Sequence, residues 1–388
     1  MQLRLLNTST DLAEIERIWL ALTAEGAPSY FLSWGWMRTW VRALPPSVNL
    51  QLAVFENGGE PVMAGFLGHT NVTRRKIFRS KAYLLNETGH RPYDQVFVEY
   101  NSLIGRPNLP VRLDEIVRLL PGKWDELCLS GVDPERIPGA CMEQKAGNLR
   151  LYVVNRMPSP YVDLEAVAAK KGDYLSLLSS NTRSQIRRST KLYQQRGPVE
   201  TRAAEDLPTA LAYYAEMKDL HEKSWRAKGD TGAFANPWFD SFHRSLIEER
   251  FGHGEIQLIR VTAGPDPIGV IYNFVLDGRV YYYQAGFRFE EDNKLKAGYT
   301  GHTEAILHNY RAGNKRYEFL AGYEDYKLRL STGHAVLVWA RLQKPRLKFA
   351  IENAARHAAI WAVEKYEAHK GRKSGRKLAA EVLSHDAA

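Results

Sequence analysis

Along this chain, short runs that are apolar or alternate apolar with polar take turns with segments whose apolar residues recur every three or four positions. "QLRLL" reads as a strand, and residues 10–25 as a helix with an acidic start, capped by Thr10 or Asp11. In "FLSWGWMRTWVRAL", residues 31–44, Trp36, Met37, Trp40 and Leu44 fall at helical spacing. "NLQLAVFENGGEPVMAGFLGHT" is two strand patterns around the turn "NGG", a hairpin signal. "KAYLLN", "YDQVFVEY", a helix near 111–120 and the strand "WDELCLSG" complete an α/β order.

That order returns after about residue 160. A basic helix in "LSSNTRSQIRRSTKLYQQRG" ends at Gly197-Pro198, and a strand and a longer helix, "LPTALAYYAEMKDLHEKSWRAKG", follow. "NPWFDSFHRSLIEERF" starts a third helix with Asn236 as N-cap and Pro237 at its first position. "EIQLIRV" and "PIGVIYNFVLDGRVYYYQAGF" are strands, the latter folded back at "DG". A helix near 299–312, a strand over 317–320 and the strand "AVLVWARL" follow. In the last helix, about 346 to 368, Leu347, Ile351, Ala354, Ala358 and Trp361 share one face, which is expected to dock onto the body. The repeated order suggests a duplication, although no residue-level repeat is visible.

Composition narrows the class. With 388 residues, 44% hydrophobic and 25% charged, the chain is expected to form more than one soluble domain. Its longest apolar runs are too short for a membrane span, and its start lacks a signal-peptide pattern, so a cytoplasmic location is expected. Cys128 and Cys141 are too few for a disulfide framework or a four-ligand zinc site, and both read as ordinary reduced cysteines. No metal motif is present: His221-Glu222 lacks the second histidine of HExxH. The net charge of +9 favours an anionic partner such as nucleic acid, a phosphorylated cofactor or an acidic carrier protein. Part of the excess lies in "HKGRKSGRK", 369–377.

Candidate chemistry gathers between residues 279 and 330. Lys294 and Lys296 precede Gly298, Tyr299, Thr300 and Gly301 at a helix start, where backbone amides and the helix dipole can cradle phosphate. The stretch "YEFLAGYEDYKLRL" then empties a strand into Tyr323, Glu324, Asp325, Tyr326, Lys327 and Arg329. The order "YYYQAGF", then "LKAGYTGHTEAILHNYRAGNKRYEFLAGYEDYKLRL", with "FLSWGWMRTW" and the Arg-rich helix upstream, resembles the GNAT-fold acyltransferases called cellulose-biosynthesis-type or Fem-like. The resemblance spans about residues 30 to 340, and the order of the motifs carries it more than any one of them.

That resemblance implies an α/β (α+β) fold of two GNAT-like domains in tandem, 1–160 and 161–345, each a mixed twisted sheet flanked by helices. A C-terminal helix and basic tail, 346–388, would follow. It also implies an acyltransferase whose second half holds the donor, with no tightly bound cofactor. Acyl-CoA or a phosphopantetheine-bound acyl group would be the co-substrate, and an amine on a small molecule, peptide or sugar the acceptor. An acyl carrier protein is the expected macromolecular partner. The loop departs from the superfamily pattern of Gln or Arg, two residues, Gly, one residue, Gly or Ala: Leu295 and Thr300 fill the outer places, and Gly301 comes one place late. A carrier-bound acyl group is compatible with such a loop, as is aminoacyl-tRNA, the Fem-type donor.

Acyl transfer to an amine needs a base for the amine proton, a polarised carbonyl and a proton for the thiolate. Tyr326 or Tyr323 could give that proton; Glu318, Glu324, Asp325 or His221 could take the amine's. Lys296, Gly298, Tyr299, Thr300, Gly301, Lys327 and Arg329 are the donor-binding candidates. His221 also fits a packed helix stripe with Leu211, Tyr214, Met217 and Trp225, and Arg183, Arg187, Arg188 and Lys191 fit a solvated basic face. Tyr281, Tyr282, Tyr283 and Phe287 could line an acyl tunnel or pack as strand core. Two other readings stand beside the thioester-dependent N-acyltransferase: an aminoacyl-tRNA-dependent transferase, marked by an inserted coiled-coil arm that the sequence does not show, and a non-catalytic basic nucleic-acid-binding protein on the same scaffold.

Overall fold

A computed structural model describes residues 1–74, 77–105, 112–137, 140, 144–146, 149–288 and 290–370. Cys141 and most of the basic tail lie outside the described residues. The chain forms two compact units, Pro158–Ala335 and a first unit of Met1–Met157 joined by the chain from Val336 on. The strand and helix that follow Ala335 therefore belong to the first unit.

Both units lay their strands in the same order. In the first, Gln2–Asn7, Leu50–Asn57, Glu60–Arg74 and Phe78–Leu85 are successive antiparallel neighbours. Phe78–Leu85 then pairs in parallel with Glu126–Val132, which pairs antiparallel with the strand Gly333–Gln343. The second unit's elements are labelled from its own start: α1 (Ser180–Gln194), β1 (Val199–Ala203), α2 (Leu207–Ala227), α3 (Pro237–Arg250), β2 (Ile256–Ala263), β3 (Asp266–Leu276), β4 (Arg279–Phe287), α4 (Ala297–Arg311), β5 (Arg316–Glu318) and α5 (Asp325–Leu330). Here β1 to β4 are antiparallel neighbours, β4 pairs in parallel with β5, and β5 pairs antiparallel with Tyr161–Asp163. The fold is mixed α/β, with one strand order repeated in the two units.

Local chemistry explains many of the boundaries. Asp277 and Gly278 both take positive φ (49° and 76°), the hairpin turn that "DG" announces. Asn236 Oδ1 accepts from Trp238 N–H at 3.1 Å with Pro237 inside the first turn of α3. Ser179 caps α1 through Thr182 N–H, and Ser33 caps the tryptophan-rich helix Trp34–Ala43 through Trp36 N–H. Separate cores hold the units. One gathers Phe55, Leu67, Leu85, Ile116, Leu129 and Leu342; the other gathers Ile186, Ile259, Ile271, Ala305, Tyr317 and Phe319.

Two expectations change. The strand expected over 317–320 ends at Glu318, because Leu320 adopts a left-handed φ of 61° that no strand continues through. The C-terminal helix, Leu347–Lys370, does not dock by the expected stripe: Phe349, Glu352, Asn353 and Arg356 are buried, whereas Leu347, Ile351 and Trp361 are 78%, 54% and 58% exposed.

Candidate active site

The site begins where two parallel strands part. β4 and β5 pair at only three positions, Arg279 with Arg316, Val280 with Tyr317 and Tyr281 with Glu318. Past Glu318 the chain follows the neighbouring strand instead. Phe319 N–H donates to Pro160 O (2.8 Å) and Gly322 N–H to Pro158 O (3.0 Å). β4 meanwhile continues beside β3 to Phe287, with its register slipping where Tyr272 and Asn273 face Gln284 and Tyr282. This bulge at Tyr283 re-aims the strand at the mouth of the opening, a common device beside active sites.

Four rings line the opening. His302, fully buried on α4, lies edge-on to Tyr282 (4.5 Å between centroids), stacks on Tyr326 (5.5 Å) and meets Phe319 (5.3 Å). Its Nδ1 lies 3.3 Å from Tyr317 Oη, while its buried Nε2 has no hydrogen-bond partner. Burial, aided by the charge of Lys327, pushes the imidazole down to about 3, so it is neutral. The Tyr282 and Tyr326 phenols lie near enough to influence each other's protonation. Burial lifts Tyr282 to about 12 and Tyr326 well above the ordinary phenol value. Both phenols therefore keep their protons at neutral pH.

The start of α4 forms one end of the opening. The amides of Ala297, Gly298 and Tyr299 have no acceptor within the helix, as at any helix N-terminus, whereas Thr300 N–H returns to Lys296 O at 3.0 Å. Around Gly298 the space is open: a Cβ there would find only Phe287, 3.8 Å away. Gly301 serves another purpose, since a Cβ there would press on the Phe287 ring at 2.5 Å, so it lets α4 lie close on β4. Thr300 is buried and turned inward, its Oγ1 2.9 Å from Ser189 Oγ of α1, which also accepts from Lys296 N–H at 2.9 Å. Lys296 holds its ammonium 5.8 Å from the Tyr299 ring centre. Burial raises the Tyr299 phenol, and the positive charge of Arg329 opposes that rise. Free amides, Lys296 and Arg329 make this end attractive to an anion.

The remaining candidates are held elsewhere. Glu318 is fully buried and ion-paired at 2.7 Å with both Arg279 and Arg316, so its carboxylate closes the base of the opening as a structural tie. Asp325 is 85% exposed, with Arg329 3.8 Å away. Lys327 is buried; its ammonium donates to Ala321 O (3.0 Å) and lies 3.4 Å from Glu324, bracing the 321–324 turn. Gly322, with φ 154°, suits that turn because a Cβ would collide with the Glu324 carboxylate. His221 packs between Trp225 and Phe234, with Nδ1 3.2 Å from Ala285 O and Nε2 buried without a partner. Burial lowers its pKa, so a neutral imidazole tethers α2 to β4 just past the bulge. Arg187, Arg188 and Lys191 are exposed on α1, while Arg183 Nη1 donates to Leu178 O at 3.1 Å. In a separate polar hollow beside α2 and α3, Asp240 accepts from Lys218 (2.7 Å) and from Tyr214 (3.0 Å).

Ser189 is the site residue that sequence reasoning missed. Its signal was its spacing: Thr182, Ile186, Ser189 and Tyr193 form the buried stripe of α1, and a serine there calls for a polar partner. Among the described residues no group of His, Cys, Asp and Glu is arranged to hold a metal ion. Nor is any described helix long and apolar enough to cross a membrane.

Comparison with known proteins agrees with this geometry. Residues 180–328, from α1 into α5, match the family model described as the acetyltransferase (GNAT) domain. None of the curated proteins matches the chain in sequence. Among solved structures, FemX is similar with a TM-score of 0.51 at 9% identity, covering 88% of this chain and 97% of its own. A conserved protein of unknown function from Bacteroides thetaiotaomicron VPI-5482 gives 0.51 at 12% identity, covering 86% and 97%. The C-terminal domain of a protein named as a lysylphosphatidylglycerol synthetase, from Agrobacterium fabrum, gives 0.50 at 10% identity, covering 89% and 96%. At such identities the likeness is one of fold. The residues that build the parted strands and the α4 cradle thus lie within the segment that matches the GNAT acetyltransferase domain model.

Proposed function

We propose that this protein is an N-acyltransferase that moves an acyl group directly from an acyl thioester, on CoA or an acyl carrier protein, to an amine. The observation that carries the reading is the three-rung pairing of β4 and β5, which opens at Tyr282 onto the amides of Ala297, Gly298 and Tyr299. The donor phosphate would rest on those amides, with Lys296 and Arg329 beside them, and the thioester would enter between the strands. Backbone N–H groups along the parted edge of β4 would hold the carbonyl oxygen.

In the transfer step the amine nitrogen attacks the thioester carbon. The C–N bond forms, the C–S bond breaks, and sulfur leaves as a thiolate that takes the Tyr326 hydroxyl proton. Tyr326 is assigned this role because its phenol lines the opening and, raised by burial, holds its proton at neutral pH. Glu324 is the carboxylate whose charge reaches both Tyr282 and Tyr326, and we assign it the amine proton, received through water. Glu318, tied to two arginines, and Asp325, facing solvent, are left out of proton transfer in this scheme.

An aminoacyl group on tRNA is the second reading, favoured by the likeness in fold to FemX. Intact-mass analysis of a pooled amine library, incubated with the protein and each donor in turn, separates the two. Acylation from acetyl-CoA, long-chain acyl-CoA or acyl carrier protein, lost in Tyr326→Phe, is the expected result. Transfer from charged tRNA alone would replace the donor assignment, and no transfer from any donor would overturn the enzyme reading.

A further inference from the structure

The opening between β4 and β5 has a mouth and a floor. Tyr282, Phe287 and Tyr326 are half-buried at the mouth, whereas Tyr317, Phe319 and His302 are fully buried beneath them. The floor rings touch one another. His302 meets Phe319 at 5.3 Å between centroids and 69°, and Phe319 meets Tyr317 at 5.3 Å and 74°, both edge to face. The mouth rings rest on that floor: Tyr282 lies 4.5 Å from His302, and Tyr326 stacks on it at 5.5 Å and 17°. A methylene packs about 3.5–4.0 Å from each neighbour, so a chain passing between two facing rings needs them about 7–8 Å apart. None of these pairs comes near that separation.

The sides are shut as well. At Gly301, α4 lies so close on β4 that a Cβ would press on Phe287 at 2.5 Å, and at Gly286 a Cβ would collide with Met217 O of α2. At Gly298, on the cradle side, the space is open instead. The floor is also tied down. Phe319 N–H donates to Pro160 O at 2.8 Å, and the left-handed φ of Leu320 turns the chain directly after it. Tyr317 Oη lies 3.3 Å from His302 Nδ1 and holds the imidazole from the far side. An acyl chain that enters from the cradle therefore ends at these rings, and the tunnel that Tyr282 and Phe287 were candidates to line is closed.

On the donor reading given above, we propose that Phe319 and His302 set the length of the transferred acyl group, so that the protein takes short acyl thioesters and excludes long ones. The experiment is calorimetric titration of the full-length protein with 2-oxoalkyl thioethers of 4′-phosphopantetheine, the part that CoA and acyl carrier protein share, with chains of about two to eight carbons. Affinity should be greatest at two or three carbons and fall at least about tenfold by six, since one methylene too many in a closed apolar pocket is worth about 10–200-fold. Phe319→Ala should recover the longer chains and move the optimum by about two carbons or more. Where that variant melts far below the parent, Phe319→Leu, which removes the ring and stays apolar, should move the optimum the same way. A purely structural role for Phe319 would weaken every chain length alike. Equal affinity across the series, an optimum at long chains in the parent, or an optimum that neither variant moves would overturn the floor and leave the thioester reading intact. Binding of no analogue at all would overturn the thioester reading, and the floor with it.

Discussion

The two units build the same parallel strand pair and finish it differently. In the first, Phe78–Leu85 and Glu126–Val132 also pair at three positions before parting. There Asn101, fully buried, closes the gap: its Nδ2 donates to Leu85 O on one strand and to Ser130 O, both at 3.0 Å. Its Oδ1 accepts from Asn86 Nδ2 at 2.7 Å, and its own N–H reaches Gly131 O. One side-chain amide thus substitutes for the missing rungs of the ladder. In the second unit the same gap is lined by Tyr282, His302, Phe319 and Tyr326. One strand order is therefore filled in two ways, by side-chain amides in the first unit and by rings in the second, and the proposed function gives the donor to the second.

Substitutions on the two sides should differ in kind. Tyr326→Phe should lower kcat about 10²-fold, or ~2.7 kcal/mol of barrier, with KM and melting temperature near the parent's, as steady-state kinetics and calorimetry can check. Asn101→Ala should do the reverse. Unpaired carbonyls on both strands should cost about 2 kcal/mol of stability in denaturant melts, with turnover per folded molecule unchanged. A large loss of turnover in Asn101→Ala would erase the distinction between the gaps.

The acid limb sharpens the contrast further. His302 has a folded pKa of about 3 against 6.5 free, so the unfolded chain binds more protons between those values. Its contribution to stability is whole above 6.5 and is lost as pH falls towards 3. His302→Gln should therefore lose less stability than the parent between about pH 6.5 and pH 4, measured as melting temperature against pH. Smallest of all, Arg187→Ala with Arg188→Ala, on the exposed face of α1, should shift stability by less than about 0.5 kcal/mol. A clear loss of donor affinity there would extend the phosphate site beyond the α4 cradle.

Local signals in the sequence located the elements well. "DG" at 277–278 and Asn236-Pro237 each act through neighbours within three residues, so they are visible in sequence. Gly298 and Gly301 were legible as a helix start but not as two devices, because what separates them is Phe287, which approaches from β4. Glu318 was legible as an acid beside the site, but not as one consumed by Arg279 and Arg316. The C-terminal helix makes the same point most plainly. Its apolar period marked a helix, but the buried face joins Phe349 to Glu352, Asn353 and Arg356, and Glu352 is held by Arg74, distant in sequence. Periodicity reports what a helix could bury; the partner decides what it does bury.

The central claim is that a thioester donor enters the ring-lined gap and not the stitched one. Hydrogen exchange with and without a non-transferable thioether analogue of acyl-CoA tests it most directly. The account predicts slowed exchange at 282–287 and 297–301, with none at 84–86 or 100–102. Protection in the first unit's gap, or in neither, would contradict it.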